Sequence, residues 1–233
     1  MTIDLAALKA DNLARWQRAT SRREFSAAAR RLAESKVRYQ VVSVHTGVPW
    51  YVIAVIHERE SNQCWAASLA QGDPWDHVSI HVPAGRGPFD SWEDAAVDSL
   101  ANCAPYAARW KDWSIGGTLT LLEQYNGLGY ARRGVPSPYL WAGTDQYRSG
   151  KYVRDGVYDP DVVDKQLGCA GLLLAMKALD ASIFPTTTSV PSVPTPSAPA
   201  LSPRPSITRP AKGSIGDLVV GLIRAVILTF KRS

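Results

Sequence analysis

Apolar residues along the first part of the chain recur at an approximate helical spacing. Leu5, Leu8, Leu13, Trp16, Phe25, Ala29 and Leu32 carry the pattern, with Arg and Lys between them, and predict helix across residues 5–37. Ser21 has Glu24 three residues on, a capping-box spacing that marks the start of a second helix. Gly47-Val48-Pro49 then breaks the chain, and Pro49 suits the first turn of a helix carrying Trp50 to Ser61. Residues 71–91 lose all periodicity. Gly72, Pro74, Pro83, Gly85, Gly87 and Pro88 predict a long irregular loop there. Ser91-Trp92-Glu93-Asp94 opens the next helix, to about Asn102, and Ser114 to Tyr125 forms another, ended by Asn126-Gly127. A loop rich in Gly, Pro and Tyr covers about 126–160, and Asp161 to Leu179 reads as a final amphipathic helix. Strand signals are few, so the expected class is mainly α with long loops.

The pattern stops at Pro185. Eight of the sixteen prolines lie between 185 and 210, among Ser, Thr and Ala, a composition that builds an extended linker and no core. Beyond it, Ile215 to Phe230 is apolar for sixteen residues, interrupted by Asp217 and Arg224 and flanked by Lys212 and Lys231-Arg232. A spanning helix needs about 20 apolar residues. A helix lying in a membrane interface with basic anchors fits this length better. A short span with snorkelling ends is the alternative, and a helix docked on the folded body is a third, which the long linker disfavours. The expected organisation is a folded domain over 1–183, a Pro/Ser/Thr-rich linker over 184–211 and a membrane-interacting helix over 212–233.

Charge follows the same division. Residues 1–45 hold nine Lys/Arg against four Asp/Glu, residues 46–203 eleven against sixteen, and residues 204–233 six against one, so the net +5 is the sum of +5, −5 and +5. A nucleic-acid module concentrates positive charge on its folded body, so a nucleic-acid partner is not expected. Basic ends are suited to anionic surfaces such as lipid headgroups or wall polymers. The first ten residues lack a basic region followed by an apolar one, so no cleavable signal peptide is expected. The three cysteines, Cys64, Cys103 and Cys169, are scattered and suggest neither a disulfide framework nor a thiolate zinc site.

Candidate chemistry gathers where the apolar run from Trp50 meets His57, Glu58, Arg59 and Glu60. A carboxyl against an apolar wall loses solvation in its charged form and holds its proton to higher pH, as a general acid at neutral pH must. A helix that simply reaches the surface and ends in charges has the same sequence. On a helix the two glutamates project about 200° apart. Glu60 shares the face of Ile53, Ile56 and His57; Glu58 lies nearer Tyr51, Ala54 and Val55. The first face is the more apolar, which favours Glu60 as the acid, with Glu58 as the alternative and Ser61 placed to orient Glu60. His57-Glu58 lacks the second histidine a zinc-protease helix needs, because Ser61 stands at that position, and His45, His77 and His81 have no helical ligand spacing. No metal or cofactor is expected. There is no Gly-x-Ser-x-Gly elbow either, and carboxylate chemistry remains. Eight tryptophans, seven of them between Trp50 and Trp141, offer flat platforms for sugar rings, although at least four are expected in the core.

These residues also carry a family resemblance. Ala54 to Ser61 resembles the helix of lytic transglycosylases and goose-type lysozymes that ends in a catalytic Glu-Ser, and Glu123 to Gly127 resembles their later Tyr-Asn segment. Seven segments in one order are similar to a bacterial and phage lysozyme-family group of cell-wall hydrolases. They are His57–Ser61, Gly72–Pro74, His81–Arg86, Ser91–Asp94, Tyr125–Gly127, Ser137–Trp141 and Gly150–Val153 with Asp155-Gly156, within about 48–178. The Gly-Leu-Met-Gln segment typical of transglycosylases is not evident. The resemblance implies a lysozyme-like fold and a peptidoglycan glycosidase, an endolysin in this layout, cleaving between N-acetylmuramic acid and N-acetylglucosamine. It implies Glu60 as general acid and Asp73 as a candidate second carboxylate, in the Gly72-Asp73-Pro74 turn that caps equally well. Tyr125 and Asn126 would orient the N-acetyl group or a water, with Ser61, Tyr139, Trp141 and Tyr147 along the groove. A lytic transglycosylase and a non-catalytic wall-binding module are the alternatives.

Overall fold

The computed structural model describes residues 2–70, 72–81, 83–154 and 156–185. The proline-rich segment from 186 and the C-terminal helix expected over 212–233 lie outside the described residues. Helices dominate: α1 (Leu5–Arg18), α2 (Ser26–Glu34), α3 (Lys36–Thr46), α4 (Trp50–Ser61), α5 (Trp92–Asn102), α6 (Ile115–Tyr125), the short α7 (Gly129–Arg133) and α8 (Pro138–Trp141), and α9 (Cys169–Leu179). One antiparallel hairpin, β1 (Lys151–Arg154) with β2 (Val157–Asp159), pairs Lys151 with Asp159 and Tyr152 with Tyr158. The fold is mainly α.

Helix α4 is the axis of the body. Every side chain from Trp50 to His57 is buried, as is Arg59. A helix apolar on all sides must be enclosed, and α2, α3, α6 and α9 all pack against it. At its C-terminus Asn62 and Gln63 take left-handed conformations, φ 53° and 59°. The Asn62 N–H donates to the Glu58 carbonyl and the Gln63 N–H to the His57 carbonyl, at 2.9 and 3.2 Å. The last turn, with Glu60 on it, is thereby closed.

Around this axis α1 lies against α6 and α2 against α9. Gly171 makes the second contact possible, because a Cβ there would sit 2.2 Å from the Phe25 ring. The caps read from sequence are present: Ser91 Oγ accepts from the Asp94 N–H and Ser114 Oγ from the Gly117 N–H, at 3.1 and 3.2 Å.

Four expectations are corrected. The predicted 5–37 helix is interrupted, and α2 starts at Ser26 after Phe25, with Ser21 bridged to Thr144 and no cap. The region 126–160 holds two short helices and a hairpin inside its loops. The final helix begins at Cys169, eight residues late, because Asp164 and Gln166 are bonded back to α4. The core also extends one residue past 183: Phe184 is buried and packs edge-on against Trp16 and Tyr51.

Candidate active site

Glu60 leaves the end of α4 and enters a cleft of about 560 Å³. Residues 126–130 and α7 form one side of the cleft, Pro138 and Tyr139 part of its base, and the hairpin with Asp164 and Gln166 the rest. The carboxyl is half-buried. Burial pushes its pKa up to about 7; a hydrogen bond from Tyr139 and the charge of Arg59 work against that rise without cancelling it. The Tyr139 hydroxyl donates to Glu60 Oε1 at 2.8 Å. Tyr139 is itself buried, and burial first and then the neighbouring carboxylate hold its phenol well above the ordinary range, so it stays a proton donor. A half-protonated carboxyl at neutral pH with one fixed donor can deliver a proton to a group in the cleft and take one back.

The neighbour in sequence points elsewhere. Arg59 is buried, and its Nη2 donates to Asp164 Oδ2 at 2.8 Å, while Lys151 Nζ reaches Asp164 Oδ1 at 3.2 Å. Burial opposes the charge on Asp164, but these partners outweigh it and hold the carboxyl below its usual range. Gln166 Nε2 donates to the Arg59 carbonyl at 3.2 Å. The pair therefore clamps the final turn of α4 to the 161–168 segment, and α4 presents Glu60 from a fixed backbone. The Arg59 guanidinium also lies 5.0 Å from the centre of the Tyr139 ring.

His57 and Glu58 serve the packing. His57 is fully buried among Tyr39, Trp65 and Trp92. The Cys64 carbonyl, which can only accept, lies 3.0 Å from Nε2, so Nε2 carries the hydrogen and Nδ1 accepts from Tyr39, also at 3.0 Å. Burial lowers the His57 pKa to about 4, which keeps the ring neutral. Glu58 faces α2, with Arg31 Nη2 at 3.4 Å, and does not line the cleft.

The other expected site residues divide. Asn126 lines the cleft beside Gly127, and Tyr139 lines it as described. Tyr125 packs behind, donating to the Leu69 carbonyl at 3.0 Å, and burial with the nearby Glu60 charge drives its phenol well up. Ser61 does not orient Glu60; its Oγ donates to the His57 carbonyl at 3.1 Å. Asp73 is not in the cleft. Its Oδ2 accepts from the Ile80 and His81 N–H groups, both at 2.9 Å, and its Oδ1 lies 2.6 Å from His81 Nδ1. Those bonds hold the carboxyl below its usual range and fix the irregular loop. Trp141 is buried in the core, and Tyr147 is buried with its hydroxyl bonded to the Gly150 carbonyl and the Asp164 N–H. Neither lines the cleft.

Of the seven tryptophans from Trp50 to Trp141, three are buried and Trp65, Trp75, Trp110 and Trp113 are packed partly buried against the core. The aromatic side chains that line the cleft are tyrosines, Tyr130, Tyr139 and Tyr152. Tyr130 and Tyr152 were missed in the sequence, although the Gly-Pro-Tyr bias of 126–160 was the available signal. Asp164, Gln166, Arg132, Lys151 and Arg154 had none. Among the described residues no group of three or more His, Cys, Asp or Glu gathers in a way that would hold a metal ion. Comparisons of the chain with protein-family models, with curated proteins and with solved structures gave no match.

Proposed function

We propose that the chain is a peptidoglycan glycosidase in which Glu60 is the general acid, acting on the bond between N-acetylmuramic acid and N-acetylglucosamine. The observation that carries this reading is a carboxyl with a pKa near 7 on the wall of an open cleft, hydrogen-bonded by a buried tyrosine. The cleft is of a size for sugar rings, and tyrosines line it. Asp73 is engaged in its own loop and Asp164 in its ion pairs, which favours a single-glutamate course. Glu60 protonates the leaving oxygen; a water near Asn126 displaces it directly, or the substrate acetamido oxygen does so and a water then opens the oxazolinium formed; the attacking water's proton restores the acid form of Glu60. An intramolecular attack by the sugar hydroxyl at the same step would give the anhydro product of a transglycosylase.

Reducing-end release from purified peptidoglycan, with mass spectrometry of the muropeptides, tests the assignment and names the product. Loss of release in Glu60→Gln, with an unchanged far-ultraviolet spectrum, is the expected result. Wild-type-like release by that variant would sink it, and no release by the wild-type chain would leave a wall-binding module. We further propose, from the sequence alone, that the tail anchors an endolysin at an anionic membrane. Deleting 204–233 should then spare activity on purified wall and lower binding to anionic vesicles; unchanged vesicle binding refutes the anchor.

A further inference from the structure

The charge in the cleft runs against the charge of the sequence around it. Residues 46–203 carry eleven Lys/Arg and sixteen Asp/Glu, yet the cleft is lined by Arg59, Arg132, Lys151 and Arg154 against Glu60 and Asp164. Arg59 and Lys151 are both committed to Asp164. Arg132 and Arg154 are exposed and have no carboxylate partner among the described residues. Glu60 is only partly ionised near neutral pH and so neutralises them incompletely.

The two arginines come from different elements, α7 and β1, which are locked together. The Tyr152 N–H donates to the Tyr130 hydroxyl at 3.0 Å. The rings of Tyr130, Tyr152 and Tyr158 meet edge to face, with centroids 5.1 to 6.2 Å apart. At Gly129 a Cβ would lie 3.0 Å from the Tyr152 ring, so α7 approaches the hairpin as closely as a backbone can. Arg133, next along α7, is used in this packing, its guanidinium 4.4 Å from the centre of the Tyr158 ring. Arg132 and Arg154 are left over from this packing, and both line the cleft.

We propose that Arg132 and Arg154 form a carboxylate-reading subsite, and that the glycan bound in the cleft bears an ionised carboxylate close to the bond that is cut. The inference rests on the glycosidase reading of Glu60. A guanidinium presents paired N–H donors that match the two oxygens of a carboxylate. A wall glycan supplies that group from its peptide stems or, where the stem has been removed, from the bared lactyl ether.

Kinetics of reducing-end release separate these sources. The full chain and its R132Q/R154Q variant are assayed on intact sacculi and on amidase-stripped strands, each compared with a counterpart whose carboxyls have been amidated with carbodiimide and ammonia. In the wild type, amidation should lower kcat/KM by about three- to tenfold, mostly through KM, as two solvent-facing charge contacts would. The double substitution should cost a similar factor on the unamidated probe, and the two losses should not add. Raising salt to ~0.5 M should weaken the wild-type preference. A drop in the intact pair assigns stem carboxylates, and a drop confined to the stripped pair assigns the lactyl group. No drop in either pair, or additive losses, overturns the subsite and leaves the glycosidase standing. No release from any probe by the wild type overturns both. Should the double variant misfold by circular dichroism, the wild-type amidation ratio decides alone.

Discussion

Glu60 and Glu123 are two glutamates that titrate alike in different surroundings. Burial pushes each up to about 7. Glu60 ends α4 and opens on a cleft of about 560 Å³. Glu123 sits inside α6, 3% exposed, and lines only a small pocket of about 100 Å³ against α1. Its Oε2 accepts from Asn12 Nδ2 at 3.2 Å, with Asp11 and Arg15 nearby. The comparison separates two things a raised pKa is often made to mean. Desolvation alone produces the shift; chemistry needs a path for substrate to the same carboxyl. Glu123 has the shift and the packing of a structural group, and Glu60 has the shift and the path.

The largest expected effect breaks the pair apart directly. Glu60→Gln should lower glycan cleavage by about a thousandfold or more, while Glu123→Gln should keep the rate within about twofold. A large loss in the second variant would end the distinction. Stability comes next. The folded pKa of Glu123 is raised above the unfolded value, so its contribution is complete below about 4.5 and is lost as pH rises through about 7. Chemical denaturation at pH 5 and pH 8 should show wild type losing on the order of 2–3 kcal/mol more than Glu123→Gln over that interval. Equal pH dependence would mean that Glu123 is better solvated than its burial implies.

Smaller effects sharpen the Glu60 side. Removing the Tyr139 hydroxyl takes away a bond that favours the Glu60 carboxylate. Tyr139→Phe should therefore move the alkaline limb of the pH–rate profile upward, by about half to one unit. A downward move would reverse the assigned role of the phenol. Asp73→Asn should leave the rate within about tenfold of wild type, and should speed proteolytic cutting in the 72–90 loop. A loss comparable with that of Glu60→Gln would return Asp73 to the chemistry.

What was legible in the sequence was local. Pro49 followed by an unbroken apolar run made α4 readable, and Ser91 and Ser114 announced their helices because a capping hydroxyl and its N–H partner are three residues apart. The same logic picked Glu60 over Glu58, since the apolar face lay within one turn. Helix α3 was not readable: Val37, Val41 and Val44 face outward, and only Tyr39, Val42 and Thr46 are buried. The hairpin was too short to show alternation. Trp141 and Tyr147 were misplaced because aromatic residues are equally suited to a groove and to a core. The clamp between Arg59 and Asp164 joins positions 105 residues apart, and no local pattern records such a pair. The bonds that hold residues 161–168 out of a helix run to α4 and are visible only in the fold.

The distribution of aromatic side chains has an optical consequence. None of the eight tryptophans lines the cleft; they are buried or packed against the core, whereas Tyr130, Tyr139 and Tyr152 line it. Indole emission from this chain therefore reports mainly the integrity of the interior and only indirectly a saccharide entering the groove. The direct signal of occupancy belongs to the phenols, in the near-ultraviolet dichroism and absorption of tyrosine, and a titration followed only by tryptophan would understate a tight complex.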